Sequence, residues 1–380
     1  MIENKFIKRI ASSLVALGIS TIAYSNSWAE NLKIGVAGPY TGEMSNYGIS
    51  GKNEVTLAIK HINAAGGVLG TDLEAVSQDD ACDSVKAARV AENMIAVIGH
   101  IYNNSTEAAL PSYAIANIPV ISAASTNLNL TNEGKYPNFF RTISHDASQA
   151  QLQVEFAVKA LGIKKAAVIF DQGNYGKEMA GLVRDGFEQN GVKVLVFEPI
   201  ESGAESYSEL IGKLRNAKVN SSNGTAVFFS GYHAEASKFV AEARKERNNA
   251  YFISGDGVKD SSFIENAGKY AMEYYVSAPF NLSKVASAGS VTEQYKAEFG
   301  SDPTIHSLRS YAAVQVFAKA LEKSGTSDSS AVIETLKEVE MQDSAIGEFS
   351  FSESGDILGA GDALYQVRPT PTGLRFVPAY

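Results

Sequence analysis

The chain has 380 residues, a formal net charge of −9 from 33 basic and 42 acidic side chains, and one cysteine, Cys82. An acidic chain is a poor candidate for binding nucleic acid or an anionic membrane surface, and a single cysteine cannot form an internal disulfide. The length is ample for two domains, each with a core of its own.

The first 29 residues have the pattern of a secretory signal peptide. Lys5, Lys8 and Arg9 form a basic region, an apolar stretch follows, and Ser27 and Ala29 occupy the small-residue positions before a cleavage site. The apolar stretch is shorter than the roughly 20 residues that span a bilayer, so cleavage after Ala29 is favoured over a membrane anchor. Cleavage would leave an exported chain of 351 residues with a net charge of −11.

Short apolar strands alternate with helical patterns through most of the remaining chain. In a first unit, the strands are predicted at 32–39, 73–80, 96–100 and 118–125, and a helix is predicted at 53–67. In a second unit, they are predicted at 165–172, 193–200, 226–231 and 251–257. A strand-like segment at 274–280, three helical patterns and a C-terminal stretch of strands and turns follow. This βαβ order predicts the α/β class, with two doubly wound parallel-sheet lobes.

The carboxyl ends of these strands are rich in Gly, Ser, Asn, Tyr and Asp, and open α/β sheets bind ligands at those ends. The glycines after the first strand do not have the spacing of a dinucleotide-binding loop, and neither a P-loop nor a nucleophile elbow is present. The five histidines lack metal-ligand spacing. The sequence therefore favours a binding protein without metal or cofactor; a secreted hydrolase on the same frame is the alternative.

Residues 99–106, GHIYNNST, join a predicted strand to a predicted helix. Asn104 is predicted to cap this helix, with Glu107 closing a capping box. The alternative is a ligand site, because the first N–H groups of a helix attract an anion. The junction by itself leaves both interpretations open.

Eight segments in order resemble the leucine/isoleucine/valine-binding proteins, which are type I periplasmic binding proteins of ABC importers. They are KIGVAGPYTGEMSNYG, INAAGGVLG, DDACDSVKA, VIGHIYNNST, ISAASTN, FRT, DQGNYGKE and ISGDGV. The resemblance covers essentially the whole mature chain. It implies a multi-strand hinge between lobe 1, at 30–145 plus 277–348, and lobe 2, at 146–276 plus 349–380.

The resemblance also implies a function. A periplasmic monomer would capture an amino acid, branched-chain or otherwise apolar, and deliver it to the membrane permease of an ABC transporter. A sensor-type binding protein for another short amide or organic acid is the alternative that this resemblance leaves open.

A set of ligand-binding residues follows from the same resemblance. Lobe 1 would hold the α-carboxylate of the ligand, and lobe 2 would hold its ammonium group through a carboxylate, because a buried ammonium without a partner is costly. The implied residues are Asn103, Thr126 and the backbone of Ala124 and Ser125 for the carboxylate, Asp256 for the ammonium group, and Tyr47, Tyr102, Tyr175 and Tyr232 as walls of the cleft.

Three positions depart from the family pattern. Asn103 stands where the family usually has serine, and Asp256 stands where it usually has glutamate. Cys82 occupies the position of a disulfide cysteine, but its usual partner position is Tyr102, so that bridge is absent. These departures leave the identity of the ligand open.

Overall fold

The computed structural model describes residues 30–379, apart from 43, 88–92, 221–223, 281, 283–284, 305 and 360. The predicted signal peptide and its cleavage site lie outside the described residues. In the part of the chain that is described, no helix has the length and apolar character needed to cross a bilayer.

Strands and helices alternate over most of this length. The strands are β1 (Leu32–Gly38), β2 (Leu73–Asp79), β3 (Ala96–Ile98), β4 (Val120–Ser122), β5 (Phe139–Arg141), β6 (Lys165–Phe170), β7 (Lys193–Pro199), β8 (Thr225–Ser230), β9 (Tyr251–Ser254), β10 (Tyr275–Pro279), β11 (Met341–Ser344), β12 (Gly347–Phe351), β13 (Ile357–Leu358), β14 (Asp362–Thr370) and β15 (Gly373–Pro378). The helices are α1 (Ser45–Ala64), α2 (Ser84–Ala87), α3 (Asn103–Ile115), α4 (Asp146–Glu155), α5 (Asn174–Gln189), α6 (Ser208–Asn216), α7 (His233–Lys245), α8 (Ser261–Ala267), α9 (Ala286–Phe299), α10 (Ser307–Ser324) and α11 (Ser329–Glu338).

The first sheet has the order β2-β1-β3-β4-β5, and every pair of neighbouring strands is parallel. Its two faces bury separate apolar clusters: Val36 and Ile98 belong to one, and Ala37 and Val97 to the other. A parallel sheet covered on both faces needs continuous apolar strands, which is the pattern in the sequence. The predicted first lobe is confirmed, with β5 as an additional strand.

The second sheet has the order β15-β14-β10-β9-β8-β6-β7. The five strands β10, β9, β8, β6 and β7 are parallel to their neighbours. Strand β14 is antiparallel to β10, and β15 is antiparallel to β14. Val168 and Phe228 pack on one face, and Ile169 and Phe229 on the other. The second doubly wound lobe is therefore confirmed, and the C-terminal strands extend it into a mixed sheet.

A third, small sheet of β11, β12 and β13 belongs with the first lobe. Phe349, Phe351 and Ile357 are buried in the same cluster as Val36. The lobe boundaries drawn from the resemblance remain a prediction. This packing favours a last crossing near Gly359, just before β14, over one at residue 349.

Helix α1 begins eight residues earlier than the predicted start at residue 53. The extra turns contain Gly48 and Gly51, which weaken the helical pattern in the sequence. Gly48 has a steric role, because a Cβ there would overlap the backbone carbonyl of Pro39. The glycine thus lets the start of α1 pack directly on the loop that leaves β1.

Candidate ligand-binding site

A chain of buried hydrogen bonds anchors the loop that follows β3. His100 Nδ1 lies 2.6 Å from Asp80 Oδ2, and His100 Nε2 lies 2.8 Å from Tyr113 Oη. All three side chains are fully buried. The carbonyl of His100 accepts hydrogen bonds from Ser122 Oγ at 2.7 Å and Ser125 Oγ at 3.0 Å. These contacts tie together the ends of β2, β3 and β4 and fix the start of α3.

Asn103 is the first residue of α3 and is buried. Its Oδ1 accepts the backbone N–H groups of Thr126 at 2.8 Å and Asn127 at 3.2 Å. Because Oδ1 faces these two donors, Nδ2 is the group left to donate to a ligand. Asn103 therefore joins the start of α3 to the loop that follows β4.

The predicted capping of α3 by Asn104 is wrong. The helix starts at Asn103, and the N-cap position is Tyr102, which makes no side-chain capping bond. Asn104 Oδ1 instead accepts the backbone N–H of Asn174 in the second lobe at 3.3 Å, and Asn174 Nδ2 donates to Glu107 Oε2 at 2.7 Å. Both residues of the supposed capping box therefore face the other lobe.

A small cavity of about 30 Å³ lies between the lobes at the ends of these strands. It is lined by Tyr47, Ile101, Tyr102, Asn103, Ala124, Thr126, Tyr175, Tyr232, Asp256, Gly257 and His306. Eight of the nine residues expected in the site are among them. Three cavities of about 460, 790 and 410 Å³ are larger, but none of them includes a residue from the ends of β3 or β4. We therefore assign the candidate site to the smaller one.

Ser125 does not line the cavity. Its backbone N–H donates to Ser122 Oγ at 2.9 Å, and its carbonyl accepts from Arg141 Nη1 at 3.4 Å. The fully buried Arg141 also donates to the carbonyl of Asn127 at 2.7 Å and pairs with Asp356. Since the backbone of Ser125 is occupied in this way, it supports the loop after β4 and does not offer contacts to a ligand.

Asp256 begins the 3₁₀ turn Asp256–Val258 after β9 and is 3 % exposed. Its Oδ1 accepts a hydrogen bond from Tyr175 Oη at 3.0 Å, and its backbone N–H donates to Gln149 Oε1 at 3.4 Å. A Cβ at position 255 would collide with Tyr175 Oη, so Gly255 permits this approach. None of the ion pairs formed by the described residues involves Asp256.

Aromatic rings form the walls of the cavity. Tyr102 and Tyr175 lie on either side of Tyr232, with ring centroids 5.2 and 5.4 Å away. Tyr47 lies 5.7 Å from His306. Burial raises the pKa of all four tyrosines, so their hydroxyl groups stay protonated and available as donors.

Two polar residues near the cavity were not expected from the sequence. His306 lies just before α10, is 6 % exposed, and has a pKa lowered to about 4 by burial. Asp146, the first residue of α4, is fully buried, and burial raises the pKa of its carboxyl well above the usual range. Neither residue sits in a motif, so only the fold reveals their position.

Among the described residues, no three His, Cys, Asp or Glu side chains are placed to hold a metal ion.

A model of the periplasmic binding protein family matches residues 31–369. The chain belongs to this family. The Leu-, Ile-, Val-, Thr- and Ala-binding protein of Pseudomonas aeruginosa is 31% identical over 368 residues, which cover 96% of this chain and 97% of that protein. The resemblance drawn from the sequence is thereby confirmed.

Solved structures of the family share this fold. A leucine-binding protein from Thermotoga maritima aligns with a TM-score of 0.82 at 23% identity, over 91% of this chain and 97% of that one. A solute-binding protein from Rhodopseudomonas palustris, in complex with 3,4-dihydroxybenzoic acid, aligns with a TM-score of 0.79 at 20% identity, over 92% of this chain and 96% of that one.

Proposed function

We propose that this protein is an exported, monomeric solute-binding protein that captures a free α-amino acid between its lobes and delivers it to an ABC importer. The observation that carries the proposal is Asp256, a buried carboxylate on the cavity wall that forms no ion pair with any described residue. A ligand ammonium group would pair with it. A buried carboxylate without a cation is costly, so the site is incomplete without such a group.

The opposite wall suits a carboxylate. Asn103 and Thr126 line the cavity there, and α3 begins at Asn103. The first N–H groups of a helix have no partner within the helix and carry partial positive charge. An α-amino acid would therefore place its carboxylate against lobe 1 and its ammonium group against Asp256 of lobe 2.

The relatives suggest two ligand classes. The Pseudomonas relative is named for five amino acids, whereas the Rhodopseudomonas structure holds an aromatic acid that has no amino group. Asp256 favours the first class, because an acid without a cationic group would leave this buried carboxylate unpaired. Whether the ligand is a branched-chain amino acid depends on the cavity residues that would contact its side chain.

Ligand capture would proceed by hinge closure, with crossings near residues 141–146, 276–280 and 346–362. The structure has direct contacts between the lobes beside the cavity: Asn174 to Glu107 at 2.7 Å, and Glu178 Oε1 to the N–H of Leu128 at 3.1 Å. Such contacts stabilise only the arrangement in which the lobes meet. A ligand that bridges the lobes would shift the population toward this arrangement and exclude water.

His100 is not placed to act as a general base. His100, the histidine held by a carboxylate, is fully buried, and both of its ring nitrogens are already hydrogen-bonded to Asp80 and Tyr113. A general base must reach the proton of a nucleophile or substrate. We therefore propose binding without turnover, which a hydrolase would contradict by consuming its ligand.

Thermal unfolding tests the proposal. Protein stripped of ligand by unfolding and refolding is mixed with each common amino acid and with short organic acids and amides. A ligand at about 100 times its dissociation constant stabilises the protein by about 2.7 kcal/mol, which raises the Tm by about 3 to 4 °C for a chain of this size. We expect a shift with a class of α-amino acids. A shift only with acids that lack an ammonium group would overturn the proposal.

Removing the contact at Asn174 is expected to weaken binding modestly. In Asn174→Ala, the amide loses its bond to Glu107, so the closed arrangement becomes less stable and the ligand dissociates faster. Because the contact is exposed, an effect of about two- to fivefold is expected. Stopped-flow dissociation measures it. Asn190→Ala, at the other end of α5, bonds only within its own helix and is the matched control; equal rates in both variants would contradict a role in closure.

A further inference from the structure

We propose that the ligand is an amino acid whose short side chain carries a hydrogen-bond donor, a hydroxyl or an amide N–H, and that His306 and Tyr102 select it. The inference rests on the proposed function, since it concerns the side chain of an amino acid held in the same cavity. It differs from the branched aliphatic ligand that the sequence resemblance implies.

His306 supplies an acceptor without a partner. The residue lines the cavity and is 6 % exposed, and its Nδ1 is buried with no hydrogen-bond partner among the described residues. The ring is hydrogen-bonded to the backbone of Ala123, and burial lowers its pKa to about 4. The imidazole is therefore neutral at neutral pH. Because one ring nitrogen donates to the backbone, Nδ1 carries a lone pair and needs a donor.

Tyr102 supplies a second polar atom without a partner in the same cavity. Its Oη is buried and finds no partner in the described part of the chain. Its ring packs against Tyr232 and lines the same cavity as His306. Burial raises the pKa of this phenol, so it keeps its proton and can both donate and accept. A hydroxyl or an amide on the ligand could bond to either group.

Two other polar atoms that line the cavity already have partners. Tyr175 Oη donates to Asp256, and Asn103 Oδ1 accepts two backbone N–H groups. Buried polar groups in proteins are almost always hydrogen-bonded, so the two buried groups without partners in this cavity indicate what a ligand would provide. An aliphatic side chain would cover Nδ1 of His306 and Oη of Tyr102 and leave both unsatisfied.

The cavity has no large apolar pocket. About 30 Å³ is enclosed, which is room for about two water molecules on the same kind of measure. The rings of Tyr47 and His306, 5.7 Å apart, confine this end of the cavity. Selection therefore depends on the hydrogen-bonding atoms and not on a large apolar pocket.

Pairs of ligands with the same shape test the inference. Calorimetry on the purified, ligand-stripped protein compares threonine with valine, asparagine with leucine, and serine with 2-aminobutyrate. We expect the polar member to bind at least about tenfold more tightly in one or more pairs, because a site built to hydrogen-bond a ligand rejects the analogue without the donor. Equal or tighter binding of the aliphatic member in every pair would overturn this inference and leave the proposed function intact. Binding by no amino acid would overturn the proposed function itself.

Variants identify the residues responsible. His306→Phe keeps a ring and removes the acceptor, so the ratio of polar to aliphatic affinity should fall about tenfold. Tyr102→Phe removes one hydroxyl and should lower the same ratio, which keeps the test available if the first variant does not fold. Tyr175→Phe is the control: it acts on the ammonium end through Asp256, so both members of a pair should weaken alike. An unchanged ratio in His306→Phe and Tyr102→Phe would contradict their role.

Discussion

Replacing Asp256 with asparagine is expected to weaken amino-acid binding about a hundredfold or more. The carboxylate is 3 % exposed, lines the cavity and is oriented by Tyr175 Oη at 3.0 Å. Removing one member of a buried, hydrogen-bonded charge pair costs about 2–5 kcal/mol, mostly because the other charge stays buried without a partner. Calorimetry with the amino acid found by thermal screening measures the loss, which should appear mainly as faster dissociation.

The matched control is Asp185→Asn on the surface of the same lobe, where the carboxylate is 56 % exposed and pairs with Arg184. This variant should bind with unchanged affinity. A loss of less than about threefold in Asp256→Asn would remove Asp256 from the ammonium site. Asp146 would then be the next carboxylate to test, because it is fully buried and its backbone N–H donates to the carbonyl of Thr126, which lines the same cavity.

Parallel strands that are buried on both faces were predictable because their whole length is apolar. Residues 96–98 and 225–230 are completely buried strands, and the strands predicted at 96–100 and 226–231 include all of these residues except Thr225. The three residues of β5 are too short to produce a recognisable pattern. The early start of α1 was missed because Gly48 lowers helix propensity, although close contact with Pro39 requires it.

The candidate site was partly predictable for a geometric reason. The carboxyl ends of parallel strands meet at one edge of a sheet, so residues near the ends of β3 and β4 converge in the first sheet, and those near the ends of β6, β8 and β9 converge in the second. What could not be predicted was which hydrogen-bond partner each side chain and backbone group has. The backbone of Ser125 is occupied by Ser122 and Arg141, and Asn104 reaches the second lobe instead of capping α3. These hydrogen bonds depend on partners far away in the sequence, which no local pattern contains.

His306 shows the other limit of the sequence. It comes long after the strands of the first sheet, and α10 brings it back to the cavity against Tyr47. A lone histidine without metal-ligand or catalytic spacing predicts nothing by itself. The observation that makes His306 a proposed ligand contact, and not only a packed side chain, is that its Nδ1 has no hydrogen-bond partner among the described residues. Only the three-dimensional arrangement reveals this.

Glu54 is expected to make the stability of the protein fall as the pH rises from about 5 to 8. The residue lies on α1, is fully buried, and its two carboxylate oxygens have no hydrogen-bond partner in the described part of the structure. Burial raises its pKa from about 4.5 to about 8. Between these values the folded protein keeps a proton that the unfolded chain has lost, so the free energy of unfolding falls by about 1.4 kcal/mol per pH unit, and by about 4–5 kcal/mol over the whole range.

Glu54→Gln removes this titration and keeps the shape of the side chain. The difference in the free energy of unfolding between this variant and the unmodified protein should therefore increase with pH. At pH 8 the variant should be more stable than the unmodified protein by several kcal/mol. Urea denaturation followed by circular dichroism at pH 5, 6, 7 and 8 measures the difference. Glu322→Gln, on the exposed face of α10, is the control and should follow the unmodified protein at every pH. If Glu54→Gln and the unmodified protein lose stability in parallel, the carboxyl of Glu54 is ionised in the folded state, and a cation or water must reach it between α1 and α10.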